Sequence, residues 1–449
     1  MDARFEQLHC PMNYTVYKFQ PEIGEFSACC DARPIQFNAE EFDRLGDDYF
    51  TKLPALIERK QALYDNIKHS DCQQCWKKED RGITSMRLHH GPSYTSIFGN
   101  RSIPTDEAYP ERIEFWMNST CNLGCFMCWV GNSNTLRKIW YKDRDTNDSD
   151  GAGYDAWLSQ SDYYKGEYVQ RFTDSMIKFA IKSIKDATYG MNIAYLGGEP
   201  TLHNEMYTHA DLFIEAGREG IAKGKQFTIE ITTNGTSKDK LNERFYEMFE
   251  KYKAAGWNTK IMLSQDGAHD QVMVRHGADF DQIKRNFGTW MSKDSCVNHV
   301  RSFTVVSGLN LPYIHEMAEY IDGVIRNNLV EGKPFTGDIK FVEIAFNALE
   351  DPKWMQTSYL PSKYAKENIQ KANAIFEKLA KDFRNVVYEK DYFFSVTGQL
   401  ADTLTTDQVE FFFNKIDYVN SIYQKTYPTW DFYTTFPHLD MMRTEYGLK

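Results

Sequence analysis

Nine cysteines carry most of the chemistry that this chain of 449 residues could do. They are Cys10, Cys29, Cys30, Cys72, Cys75, Cys121, Cys125, Cys128 and Cys296, and only the last lies beyond residue 128. Scattered core cysteines would not cluster in this way. The pattern points to two sites, with Cys296 as an inert core residue. The tighter site is Cys121-Asn122-Leu123-Gly124-Cys125-Phe126-Met127-Cys128, a C-x3-C-x2-C run that can wrap one small metal centre. Gly124 is expected to supply a left-handed backbone conformation for that wrapping. A structural zinc ion takes four ligands, and no fourth lies close in sequence. A cubane [4Fe–4S] cluster takes thiolates at its corners, so three local cysteines leave one iron open to an exogenous ligand.

The second group, Cys10, the adjacent Cys29-Cys30 and Cys72-x2-Cys75, offers five thiolates where four would close a site. An odd cysteine count clustered in this way argues against a disulfide framework and towards metal binding or catalysis. The remaining composition narrows the partners. Lys plus Arg is 52 against 63 Asp plus Glu, a formal net charge of −11, which disfavours non-specific nucleic-acid binding. Hydrophobic residues make up 42% of the chain and aromatic residues 15%, enough to bury a sizeable core and to exclude a disordered chain. No apolar run approaches the roughly 20 residues that span a bilayer. The opening MDARFEQLHC lacks the basic-then-apolar order of a signal peptide, so a cytoplasmic protein is expected.

The elements that position these cysteines follow from hydrophobic periodicity. An amphipathic pattern through Leu53, Leu56, Ile57, Leu63 and Ile67 predicts a helix before DCQQCW. Residues 91–110, with Gly91, Pro92, Gly99, Pro104 and Pro110, are expected to be a loop and a domain boundary. A regular rhythm then begins. Strands are expected at 111–119, 192–196, 227–233, 259–264, 300–306 and 339–346, and helices at 173–187, 204–222, 238–254, 280–291 and 312–326. Residues 130–165 are polar and rich in Gly, Asn and Asp, as in a long surface loop or lid. Six strands alternating with five helices imply βαβ crossovers, a parallel sheet and a partial (β/α)6 TIM-like barrel with its site at the C-terminal strand ends. Residues 361–385 predict a further helix, starting at Pro361. The aromatic-dense tail after residue 390 predicts a helical cap on the barrel.

A C-x3-C-x2-C motif at the end of a first strand, in an α/β partial barrel, resembles the radical S-adenosylmethionine (SAM) superfamily. The resemblance implies that the amine and carboxylate of SAM bind the open iron. A reduced cluster then cleaves the sulfonium to a 5′-deoxyadenosyl radical, which abstracts a substrate hydrogen. Gly197-Gly198-Glu199-Pro200 ends the second strand, where the family keeps its GGEP motif, and a carboxylate with backbone carbonyls suits the SAM amine. Thr233-Asn234-Gly235 and Ser264-Gln265-Asp266-Gly267 end the next two strands. The resemblance maps the SAM ribose and carboxylate contacts onto Ser264 and Arg275, and adds Asn234 to the cofactor site. Asn234 and Asp266 also read as turn residues that satisfy their own backbone. The family often has an aromatic residue before the third cysteine, against adenine; here that position is Met127, with Phe126 one place earlier.

Residues 1–90 resemble a twitch or SPASM auxiliary-cluster module that precedes the barrel instead of following it. The expected ligands are Cys10, Cys72, Cys75 and Cys29, with Cys30 as the alternative to Cys29, and either an auxiliary [4Fe–4S] cluster or a zinc ion on four cysteines fits the count. The expected units are 1–90, a core barrel at 108–348 and a mainly helical extension at 349–449. The family implies a peptide or small-metabolite substrate and an electron donor such as flavodoxin or ferredoxin. Glu343 alternates with Val342 and Ile344, so it could face the barrel interior as a proton acceptor, or form a rim salt bridge. Two rival readings are a glycyl-radical activase acting on a protein partner and a non-enzymatic, metal-stabilised binding protein.

Overall fold

Alternating burial builds the central sheet. In Asn258–Ser264 the residues Thr259, Ile261 and Leu263 are buried, while Lys260, Met262 and Ser264 are half-buried. One face therefore packs under helices and the other carries polar groups. The computed structural model describes residues 10–29, 31–80, 84–98, 103–141, 167–292, 295–328 and 341–448. Among them, ten strands form one sheet: β1 Val16–Gln20, β2 Glu25–Ser27, β3 Ile35–Gln36, β4 Arg112–Trp116, β5 Gly190–Leu196, β6 Gln226–Thr233, β7 Asn258–Ser264, β8 His299–Val306, β9 Phe341–Ala348 and β10 Val386–Tyr388. The spatial order is β10-β9-β8-β7-β6-β5-β4-β1-β2-β3.

From β4 to β9 every neighbour is parallel and in sequence order. The connecting helices are Glu167–Asp186, Asn204–Ala222, Asp239–Ala254, Phe280–Met291 and Ile314–Asn328. Parallel crossovers share one hand, so sequential strand order puts all five helices on one face. The first three of these helices adjoin one another in turn, as do the last two. The opposite face is left free of them and becomes the inner face.

The sheet does not stop at the expected domain limits. β1 pairs in parallel with β4, Val16 opposite Arg112, and β10 pairs in parallel with β9, Val386 opposite Val342. The N-terminal cysteine segment and the C-terminal extension therefore extend the same sheet at its two ends.

Three sequence expectations need correction. A helix, Met86–Phe98, runs through Gly91-Pro92, where a loop is expected. Another, Asn134–Tyr141, begins inside the expected lid, and the rest of that lid, 142–165, lies outside the described residues. The helix expected to open at Pro361 starts at Lys366, because Pro361 instead pairs with Ala401 in an isolated bridge. No helix among the described residues is long and apolar enough to cross a membrane.

Candidate active site

The cysteine loop leaves the end of β4 and is clamped from three sides. Cys121 N–H donates to Asn134 Oδ1 at 3.1 Å, and Thr135 Oγ1 donates to the Cys121 carbonyl at 2.7 Å, so the start of the next helix holds the first ligand. Gly124 N–H donates to the His276 carbonyl at 2.9 Å and Phe126 N–H to the Val274 carbonyl at 3.3 Å. This pairing sets Arg275 against Cys125. From the third side, the Tyr423 hydroxyl donates to the Gly124 carbonyl at 2.8 Å. Gly124 does not take the expected left-handed conformation. A Cβ there would lie 2.6 Å from Ile139 Cδ1, so a larger residue would make the Ile139 side chain shift.

The three thiols lie within electrostatic reach of one another, and burial pushes each up to about 12. The Arg275 guanidinium pulls Cys125 and Cys128 the other way. Thiols held neutral in this way would lose their protons to solvent on coordinating a metal centre as thiolates. Phe126 turns into the C-terminal cap, with ring centroids 4.7 Å from Tyr423, 5.5 Å from Trp430 and 4.5 Å from Phe432. The neighbouring His276 ring packs on Tyr423, Tyr427 and Trp430. The aromatic tail therefore covers the cysteine loop. Met127 stays half-buried within that loop.

Gly197, Gly198, Glu199 and Pro200 sit directly after β5, beside the loop. Gly198 has φ +57°, and a Cβ there would lie 2.5 Å from the Thr120 carbonyl oxygen. Glu199 N–H donates to that same carbonyl at 2.8 Å, tying the turn to the residue before Cys121. The Glu199 carboxylate is 1% exposed and is already in use. Oε1 accepts from the hydroxyls of Thr201 (2.7 Å) and Thr233 (2.8 Å), and Oε2 accepts from Asn234 N–H (2.8 Å). Burial raises its pKa, against the pull of these donors. Glu199 thus joins the ends of β5 and β6. Asn234 accepts from Thr236 N–H through Oδ1, a local turn, and donates through Nδ2 to Asn122 Oδ1 of the cysteine loop at 2.9 Å.

Ser264 ends β7 on the inner face. Asp266 does not satisfy its own backbone. Its Oδ1 accepts from Val305 N–H at 2.7 Å, and its Oδ2 lies 2.5 Å from Arg275 Nε. The Arg275 charge is thus committed to Asp266 and to the thiols, both of which raise its pKa against the effect of burial. The sequence resemblance assigns Arg275 to the SAM carboxylate; here its guanidinium is paired with Asp266 and lies beside Cys125.

Below these strand ends the inner face carries a layer of charge that sequence reasoning missed. Glu230 on β6 accepts from Arg112 Nη2 at 2.9 Å and from Asn192 Nδ2 at 3.0 Å, and lies 3.2 Å from Lys260. Glu343 belongs to this layer. His299 Nε2 is 3.4 Å away and Arg301 Nε 3.2 Å away, and together they outweigh burial and lower its pKa. A carboxylate held ionised in the lower half of β9 is a salt-bridge partner and poorly suited to taking up a proton. Higher up, Lys18 Nζ on β1 sits 4.1 Å above the Trp116 ring at the end of β4.

The N-terminal cysteines also come together. Cys10, Cys29, Cys72 and Cys75 line one small cavity, with Asn13 and Arg87 in its wall. Burial, then the other three cysteines, raises Cys10. Cys30 lies outside the described residues. Among the described residues, no three Cys, His, Asp or Glu side chains stand close enough to hold a single metal ion as they are.

Residues 117–321 match the model of the Radical SAM superfamily. These residues are similar to a radical SAM domain. The matched residues span the cysteine loop, the GGEP turn and the ends of β6, β7 and β8. No curated protein matches the chain. Among solved structures it is similar to histidine-tagged anSMEcpe with bound AdoMet, at 16% identity and a TM-score of 0.35, covering 61% of this chain and 62% of that one. It is also similar to Streptococcus suis SuiB bound to S-adenosylmethionine, at 12% identity and a TM-score of 0.34, covering 88% of this chain and 76% of that one. The chain thus spans less than two thirds of the length of anSMEcpe.

Proposed function

We propose that this radical SAM domain works as a partial (β/α)6 barrel holding a [4Fe–4S] cluster on Cys121, Cys125 and Cys128, and that it abstracts hydrogen from a peptide or small metabolite. The observation that carries the reading is the meeting of three thiols, Cys125 buried and Cys121 and Cys128 half-buried, with the GGEP turn at adjacent strand ends, inside the matched residues. Three thiols, and no local fourth, suit a cluster with one iron left for SAM. When bound, the cluster and SAM supply one-electron cleavage to a 5′-deoxyadenosyl radical.

The chain's own residues bind, orient and exclude water. Glu199 locks the β5 and β6 ends, so that the Gly197–Gly198 backbone carbonyls stand ready for the SAM amine. Asn234 fixes the cysteine loop through Asn122. Ser264 and Met127 border the space left for ribose and adenine. Arg275 offsets the charge of the cysteine loop, and Tyr423, Trp430 and Phe432 keep water from it. Residues 1–90 act as a twitch-like module whose Cys10, Cys29, Cys72 and Cys75 hold a second metal centre. An electron donor such as flavodoxin or ferredoxin reduces the enzyme in the cytoplasm.

The test is electron paramagnetic resonance of the anaerobically reconstituted, dithionite-reduced protein. Adding SAM shifts the signal of the open cluster, and Cys125→Ala removes the SAM-sensitive component while keeping a second signal. A wild-type spectrum that ignores SAM overturns the reading.

A further inference from the structure

The inner face of the sheet pairs its charges, with one exception. Register sets Lys18 on β1, Glu114 on β4, Ala194 on β5, Glu230 on β6 and Lys260 on β7 in one row that faces the same way. Arg112 takes Glu114 and shares Glu230 with Lys260, while His299 and Arg301 take Glu343, so each of these cations has a carboxylate within 3.4 Å. Lys18 has no such partner among the described residues. Glu114, opposite it in register, belongs to Arg112. Glu25, whose carboxyl feels the Lys18 charge, accepts instead from Gln36 Nε2. The Lys18 ammonium reaches only the Trp116 ring, and a ring face attracts a cation without cancelling its charge. Trp116 sets this ammonium beside the SAM site, since a Cβ on Gly197 of the GGEP turn would lie 2.9 Å from Trp116 Cε3. Trp116 Nε1 is itself buried, with no hydrogen-bond partner among the described residues. Two unmatched donors inside a barrel are costly unless something accepts from them.

The missing acceptor must carry one negative charge and serve two donors. A carboxylate does both, with its charge spread over two oxygens. A phosphate would bring about 1.5–2 negative charges into a lumen whose other cations are already paired. We infer that Lys18, together with Trp116 Nε1, anchors a carboxylate of the substrate. The inference rests on the radical SAM reading of this site and deepens it by naming the substrate class: an acid, held by its carboxylate next to the GGEP turn. SAM carries a carboxylate too, so the test separates the two sources.

The test uses the full chain, reconstituted without air and loaded with SAM, with acetate as the probe in a saturation-transfer NMR titration. Acetamide is its neutral counterpart and inorganic phosphate the competing anion. Acetate should bind at least about tenfold more tightly than acetamide and more tightly than phosphate. Lys18→Gln should weaken acetate about tenfold, Lys18→Arg should restore it, and Trp116→Phe, which keeps the ring and loses the N–H, should weaken it several-fold. All three variants should bind SAM within about twofold of wild type in calorimetry, which also shows that they are folded. Acetate and acetamide binding alike, or acetate unchanged in both Lys18→Gln and Trp116→Phe, overturns the inference. Phosphate binding more tightly than acetate overturns the carboxylate as the ligand class. A tenfold loss of SAM affinity in Lys18→Gln with Lys18→Arg intact gives Lys18 to the carboxylate of SAM and overturns its assignment to the substrate. A wild-type protein that does not bind SAM at all overturns the reading beneath, whatever acetate does.

Discussion

Replacing Glu230 with Gln tests the floor on which the site stands. The carboxylate is 0% exposed and meets Arg112 through Nη2 and Nη1, at 2.9 and 3.1 Å, Asn192 at 3.0 Å and Lys260 at 3.2 Å. A glutamine amide has the same shape but turns one of its two acceptors into a donor and removes the charge. Arg112 keeps Glu114 at 2.6 Å, whereas Lys260 loses the carboxylate it pairs with. Breaking a buried pair from one side costs about 3–5 kcal/mol. At about 1 °C per kcal/mol for a chain of 449 residues, the loss is about 3–5 °C in the melting temperature. The effect also has a pH signature. Burial raises the Glu230 pKa, but Arg112 and Lys260 more than reverse this and hold it well below the usual carboxylate range. A lowered folded-state pKa gives stability that is present above the unfolded value of about 4.3 and is lost as pH falls through the folded value. The difference between wild type and Glu230→Gln should therefore be full at pH 7 and shrink below about pH 4. Thermal unfolding followed by circular dichroism across pH 3–7 reads it. A variant within about 1 kcal/mol of wild type at pH 7 would refute the reasoning, since that is the range of an exposed pair.

Three further outcomes follow from the site. Gly198→Ala adds left-handed strain and a clash with the Thr120 carbonyl, about 2–5 kcal/mol together, and should be seen as weakened SAM binding by calorimetry. Tyr423→Phe removes the hydroxyl that holds the Gly124 carbonyl, a loss of about 1–2 kcal/mol, and should speed iron loss in air several-fold in a bleaching assay. Glu343→Gln breaks the pairs with His299 and Arg301 and lowers stability, yet should leave 5′-deoxyadenosine formation within about twofold of wild type, because the carboxylate is already ionised and engaged.

Much of the sheet and its helices is legible in the sequence, because apolar periodicity decides them. The helices Asn204–Ala222 and Phe280–Met291 lie where that spacing places them, the second with Asp279 accepting from Gln282 N–H as its N-cap. Gly91-Pro92 misleads, since tertiary context carries the Met86–Phe98 helix through a residue pair that locally favours a turn. The cysteine groups are legible because thiolate chemistry needs little context. The role of Arg275 is not, as it depends on residues 274–276 folding back along residues 124–126. The charged inner layer is also hidden, because Arg112 and Glu230 are 118 residues apart and meet only once β4 and β6 share a face. Lys18 looks like an ordinary lysine until the pairing of its neighbours is known.

Product analysis of the reconstituted protein tests the central claim most directly. With SAM and dithionite under anaerobic conditions, the account predicts 5′-deoxyadenosine from the wild type and none from Cys125→Ala. A wild-type protein with its full complement of iron and sulfide that forms no 5′-deoxyadenosine would contradict it.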